Sequence, residues 1–190
     1  SACAAVAAPT STNFTSNEAA LHGGGVGVDA STLLIVGQVG FGGNRAVDGC
    51  GGGIGAVRGA NVSVRLPIEL TANSAKMGGA LCASSRSTLA QNSTVSVSHN
   101  AATNSGGGIH VGDESAAMFA RVVALNNTAG DAGGGLAVAG GSTLRMRAGV
   151  LEGNNVLASS VQGATNASTA CGATDNGAAI GGGGLALNTS

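Results

Sequence analysis

From residue 14 onward, apolar and polar positions recur in one fixed order. An apolar residue is followed three places later by asparagine and two places after that by a small apolar residue. A short spacer then leads to a glycine cluster and one more apolar residue. The order is written as FTSNEAALHGGGV (14–26), FGGNRAVDGCGGGI (41–54), LTANSAKMGGAL (70–81), VSHNAATNSGGGI (97–109) and ALNNTAGDAGGGL (124–136). A sixth copy opens as LEGNNV at Leu151 and closes as GGGGL at Leu185. The asparagines fall at Asn17, Asn44, Asn73, Asn100, Asn127 and Asn154, separated by 27, 29, 27, 27 and 27 residues. A period of this size is the signature of a repeat architecture in which each copy is one structural unit.

Within a unit the hydrophobic pattern predicts strands. Val62, Val64, Leu66, Ile68 and Leu70 alternate with other residues, as one strand with a single buried face would. Pro67 falls on its outward parity. A second strand follows each glycine cluster, at Val26, Ile54, Leu81, Ile109 and Leu136, and a third opens at Leu33, Leu89 and Leu144 after Ser-Thr. Helical repeats are disfavoured, because each interior glycine costs a helix about 1 kcal/mol. Short strands, tight turns and this period predict an all-β fold, a right-handed parallel β-helix of about six coils. At ~4.8 Å per coil the rod is roughly 29 Å long. The expected organisation is a lead-in over 1–13, coils over 14–156, an insertion loop over 157–184 and the start of a further coil over 185–190. The chain thus reads as a fragment of a larger one.

Stacking accounts for the residue types. The six asparagines are expected to form an inward amide ladder, each bonding to the coil on either side. The repeated alanines suit a narrow core, and the glycines supply tight corners.

Composition narrows the function classes. Charged residues are 9%, aromatics 2%, and the net charge is −1, which argues against a nucleic-acid partner. Thirty-five glycines could mark a disordered chain, but disorder does not keep a 27-residue register. No apolar run reaches the ~20 residues of a membrane-spanning helix, so no direct membrane insertion is expected.

Six sequons, at Asn13, Asn61, Asn92, Asn126, Asn166 and Asn188, are candidate N-glycosylation sites, and none coincides with a ladder asparagine. At Asn126–Asn127 strand alternation predicts Asn127 inward and Asn126 outward. Cys3, Cys50, Cys82 and Cys171 are an even set, suited to disulfides in a secreted chain. Three pairings are open. Cys50 lies four residues before Ile54 and Cys82 one after Leu81, so they do not share a repeat position. This favours Cys3–Cys50 with Cys82–Cys171.

Candidate chemistry is sparse. Asp48 and Asp131 share a repeat position three coils apart, with Met77 and Asn104 between them, and Asp29 and Asp113 are similarly spaced. About 14 Å exceeds the separation of a paired-carboxylate glycosidase. Glu18 aligns with Arg45 and Arg86 with Glu114 as surface ion pairs. His22, His99 and His110 occupy three different repeat positions without a metal-binding motif, and the glycine run 51–55 lacks a Walker lysine. No catalytic residue, metal or cofactor is expected.

The paired signature F-x-x-N (Phe14 to Asn17, Phe41 to Asn44) and G-G-A-Φ (Gly78 to Leu81) resembles the repeat of the chlamydial polymorphic outer membrane proteins. Leu, Val, Ala and Leu replace Phe in later copies, and most second halves read GGG rather than GGA. The resemblance implies a right-handed β-helix of pectate-lyase-like shape and a surface or adhesive role. It includes no counterpart of that family's translocating barrel. The resulting expectation is an extracellular structural or adhesive segment of a large cell-surface glycoprotein, such as a surface or ciliary filament. Its partners would be other segments of the same chain, further copies, or other surface glycoproteins and glycans. The competing expectation is a carbohydrate-active β-helix enzyme, a polysaccharide lyase or hydrolase, or a glycan-binding module.

Overall fold

The computed structural model describes residues 11–157 in full and the backbone of residues 3–6 and 185–187. It is a right-handed parallel β-helix in which every strand pair is parallel and coils repeat about every 27 residues. Each coil visits four walls. A leading strand (Thr12–Thr15, Val39–Gly42, Ile68–Thr71) ends at the asparagine corner. A short wall follows (Glu18–Ala19, Arg45–Ala46, Ser74–Met77, Ala101–Ser105, Thr128–Ala129, Asn155–Val156). After the glycine corner comes a third wall (Val26–Asp29, Ile54–Val57, Leu81–Ala83, Ile109–Val111, Leu136–Val138, Leu185–Leu187). A third corner then leads to a fourth wall, which opens with Cys3–Val6, Thr32–Ile35 and Asn61–Val64. Part of the segment read as a lead-in therefore adds a strand, because Cys3–Val6 pairs in register with Thr32–Ile35.

The stretch 62–70 is two strands, not one. Asn61–Val64 and Ile68–Thr71 are separated by residues 65–67, and Leu66 points out, 40% exposed. Pro67 has no N–H to give a ladder, so the chain steps outward there instead of alternating through. In later coils the step shrinks. Thr88–Ser98 passes it with two residues, Asn92 and Ser93, bulged against one in the next coil. Ala116–Leu125 and Thr143–Glu152 run straight through. The fourth and leading walls thereby fuse into one nine-stranded sheet, hereafter the long sheet.

Side chains of like position stack along the rod. Register places Phe14, Phe41, Leu70, Val97, Ala124 and Leu151 in one column, with the Phe14 and Phe41 rings stacked 5.1 Å apart. Ile54, Leu81, Ile109 and Leu136 form a second, fully enclosed column. Ala46, Ala75, Ala102 and Ala129 fill the narrow side beside the asparagine corner. Fusing these columns into one core buries apolar area at about 25 cal/mol per Å².

The corners differ in what they tolerate. Over about five turns, the residue before each ladder asparagine is left-handed at all six corners: Ser16, Gly43, Ala72, His99, Asn126 and Gly153. That corner is open to the backbone: a Cβ on Gly43 would find nothing nearer than Ser16 Oγ at 3.6 Å, and one on Gly153 would meet only the Asn126 side chain closely. The glycine corner is closed. At Gly23, Gly51, Gly78, Gly106 and Gly133 the backbone is also left-handed, and a Cβ would strike the carbonyl three residues ahead at 2.1–2.3 Å. Only glycine fits there. The third glycine position has slightly more room and holds Ala80 in one coil.

Candidate functional site

The asparagine corner carries the most regular polar structure in the chain. Each ladder Nδ2 donates to the Oδ1 of the asparagine one coil on, from Asn17 to Asn44, Asn73, Asn100, Asn127 and Asn154, at 2.9–3.0 Å. From Asn44 onward it also donates backward, to the carbonyls of Phe14, Phe41, Leu70, Val97 and Ala124. Each Oδ1 from Asn44 to Asn154 accepts, in addition, the backbone N–H of the preceding asparagine. The left-handed residue before it turns the chain so that this N–H points along the rod. Asn44 to Asn154 are buried, and Asn17 at the end is exposed.

Four of the six sequon asparagines lie within the described residues, and all four are exposed: Asn13, Asn61, Asn92 and Asn126. Asn13 and Asn61 stand on the long sheet, Asn92 at its bulge and Asn126 at its asparagine corner. Asn166 and Asn188 lie outside the described residues. Asn126 does point out where Asn127 points in, but strand alternation is not the cause. Asn126 is the left-handed corner residue itself, with φ 54°.

A second column forms outside the core, where the residues flanking the glycine corner face each other. Cys50 and Cys82 are joined here by a disulfide between neighbouring coils. This corrects the expected pairing with Cys3 and Cys171: Cys50 is not available to Cys3, nor Cys82 to Cys171, which lies outside the described residues. Positions stacked along the rod do not reveal this bond, because it runs diagonally across a corner. Gly55 registers beside Cys82, and a Cβ on it would sit 2.4 Å from the Cys50 carbonyl. The missing side chain leaves room for the bridge. Met77 and Val57 pack against it. The same seam holds Ser105 Oγ hydrogen-bonded to His110 Nδ1 at 3.0 Å, and the Cys50 N–H donates to His22 Nδ1. Burial lowers the pKa of both histidines; nearby Arg58 adds to this at His22, and Asp113 opposes it at His110. His99 stands apart, exposed at an asparagine corner.

Charges line the surface. Glu18 and Arg45 pair at 3.4 Å across neighbouring coils. Arg58 and Asp29 form a second, forked pair that repeat spacing alone does not reveal. Arg86 and Glu114 do not close into an ion pair. They lie instead along an open groove of about 500 Å³ at the third corner, with Ser85, Asp113, Gly140 and Gly141. Ser84 Oγ donates to Asp113. Asp48 falls in the longer second coil and does not stack over Met77, which registers with Cys50. Among the described residues, no three His, Cys, Asp or Glu side chains converge to hold a metal, and no helix is long and apolar enough to cross a membrane.

No protein-family model matches the chain, and neither the curated proteins nor the solved structures contain a match.

Proposed function

We propose that this chain is a structural or adhesive segment of an extracellular, cell-surface glycoprotein, related in its repeat to the chlamydial polymorphic outer membrane proteins. The observation that supports this most is where its buried polar capacity goes. The ladder amides are spent on joining one coil to the next, and none is turned toward a cleft. At the first rung Asn17 stands exposed, beside Glu18–Ala19, an outer strand of its sheet among the described residues, and such an edge is continued or covered in a working protein. Its continuation is further chain, another copy or another surface glycoprotein. The disulfide suits an oxidising compartment, and the exposed sequons suit glycan attachment there. Electron microscopy of the native material tests the reading. Regular filaments or surface arrays with this chain as a repeating unit support it, and isolated particles overturn it.

The groove beside Arg86, Asp113 and Glu114 favours a second reading, a carbohydrate-active or glycan-binding β-helix. Release of reducing sugar from a polysaccharide panel would establish that reading over the first.

A further inference from the structure

Three arginines stand together on the outer face of the last two long strands. On Thr143–Glu152, Leu144 and Met146 pack against the core, so Arg145 and Arg147 project outward, about 7 Å apart along the strand. On Ala116–Leu125, Phe119 and Val122 are both buried, which leaves Ala120 and Arg121 facing out between them. Parallel register sets Arg145 beside Met118 and Arg121 beside Ala148, so Arg147 lies against Ala120, diagonal to Arg121. Ala120 and Ala148, both small, lie beside Arg147 and Arg121, and the exposed Met118 lies beside Arg145. All three are exposed, and none closes an ion pair with a described residue. The outward carboxylates of this sheet are distant: Glu69 is two coils away and Glu152 lies at the far end of its strand. A chain of net charge −1 therefore concentrates three of its eight cationic side chains in one place.

We propose that this patch binds a linear sulfated polysaccharide, an inference that rests on the extracellular reading above. Guanidinium groups hold sulfate oxygens in two-pronged, charge-assisted hydrogen bonds. Neutral sugars and unpaired bases are usually held against aromatic rings. The chain has no Trp or Tyr, and its three Phe side chains belong to the core, which leaves charge as the recognition chemistry. A uronate polymer carries one charge per sugar. A sulfated chain can carry several, enough to meet three guanidinium groups so closely set.

Asn92 and Ser93 face Ala120 from the preceding coil, so a glycan on Asn92 would border the patch. The test therefore uses the full chain from a glycosylating host alongside its Asn92→Gln variant. Binding to heparin, polygalacturonate, single-stranded DNA and neutral dextran is measured across a salt series. The expected result is preferential binding to heparin, with log affinity falling against log salt at a slope of about −2, as three charge contacts give. Arg121→Ala/Arg145→Ala/Arg147→Ala removes that binding and its slope, and Arg147→Gln alone weakens it at least threefold. Arg45→Ala/Arg58→Ala, on other faces, leaves it unchanged. Equal heparin binding by the triple variant, loss in the control, or stronger binding to polygalacturonate or DNA overturns the proposal. The outcome is independent of filament formation, so failure here leaves the structural reading to its own test.

Discussion

Two residue positions in the same left-handed region answer substitution in opposite ways. Ala72 (φ 56°) and Gly106 (φ 67°) are both left-handed, but only Gly106 would drive a Cβ into a carbonyl, that of Ile109 at 2.3 Å. Gly106→Ala should destabilise the rod by 2 kcal/mol or more, since strain and clash add. Ala72→Gly relieves about 1–2 kcal/mol of left-handed strain against about 0.5–1 kcal/mol of added chain entropy, a net gain of roughly 0.5 kcal/mol. Denaturant midpoints of the two variants check both signs. His110 makes a further expectation. Burial depresses its pKa, so the unfolded chain binds the proton more readily than the folded one. Its contribution to stability is complete above the unfolded value of ~6.5 and is lost as pH falls below it. Thermal melts from pH 8 to pH 5 should show this loss, to which His22 adds, and His110→Gln should reduce the slope in that window.

At the scale of elements, the ladder couples coils through buried amides. Asn100→Ala removes two donated bonds, strands the Asn73 N–H, whose acceptor was Asn100 Oδ1, and leaves the Asn73 amide with only its bond to the Phe41 carbonyl. Each buried group left unpaired costs about 1–3 kcal/mol, so a loss of roughly 3–5 kcal/mol is expected. Asn17→Ala, at the exposed rung, should cost less than about 1 kcal/mol, and urea titration of the two variants measures the contrast. The period, the asparagine column and the need for glycine at its corner were legible because each is repeated at constant spacing. Features that depend on how a corner folds were not. Leu66 keeps the parity of an inward residue, yet the outward step at 65–67 reverses it. Cys50 and Cys82 occupy different repeat positions and meet only because a coil doubles back on itself at the glycines. Asp29 and Arg58 meet across a third corner whose coils differ in length. The arginine patch was hidden because Arg121 and Arg147 share an outward face only after the strand parity shifts beside each.

For the whole molecule, the rod is a line of near-identical layers in which each coil touches only its neighbours. Such an assembly gains stability layer by layer and loosens first where a neighbour is missing. Amide exchange should therefore be faster at the 12–19 end, beside exposed Asn17, than around buried Asn73 and Asn100. Uniform exchange along the rod would contradict this one-dimensional coupling.

The diagonal disulfide also matters if the chain bears load. Pulled from its ends, a stack of coils unwinds one turn after another, paying out slack and dissipating work. The bridge encloses a span of 32 residues that tension cannot reach. At ~3.5 Å per residue this withholds about 110 Å of extension. In single-molecule pulling, the reduced chain should reach about 110 Å further than the oxidised one before going taut. A surface filament made of such units would have its reach, and its protection from overstretching, set by the redox state of one bond.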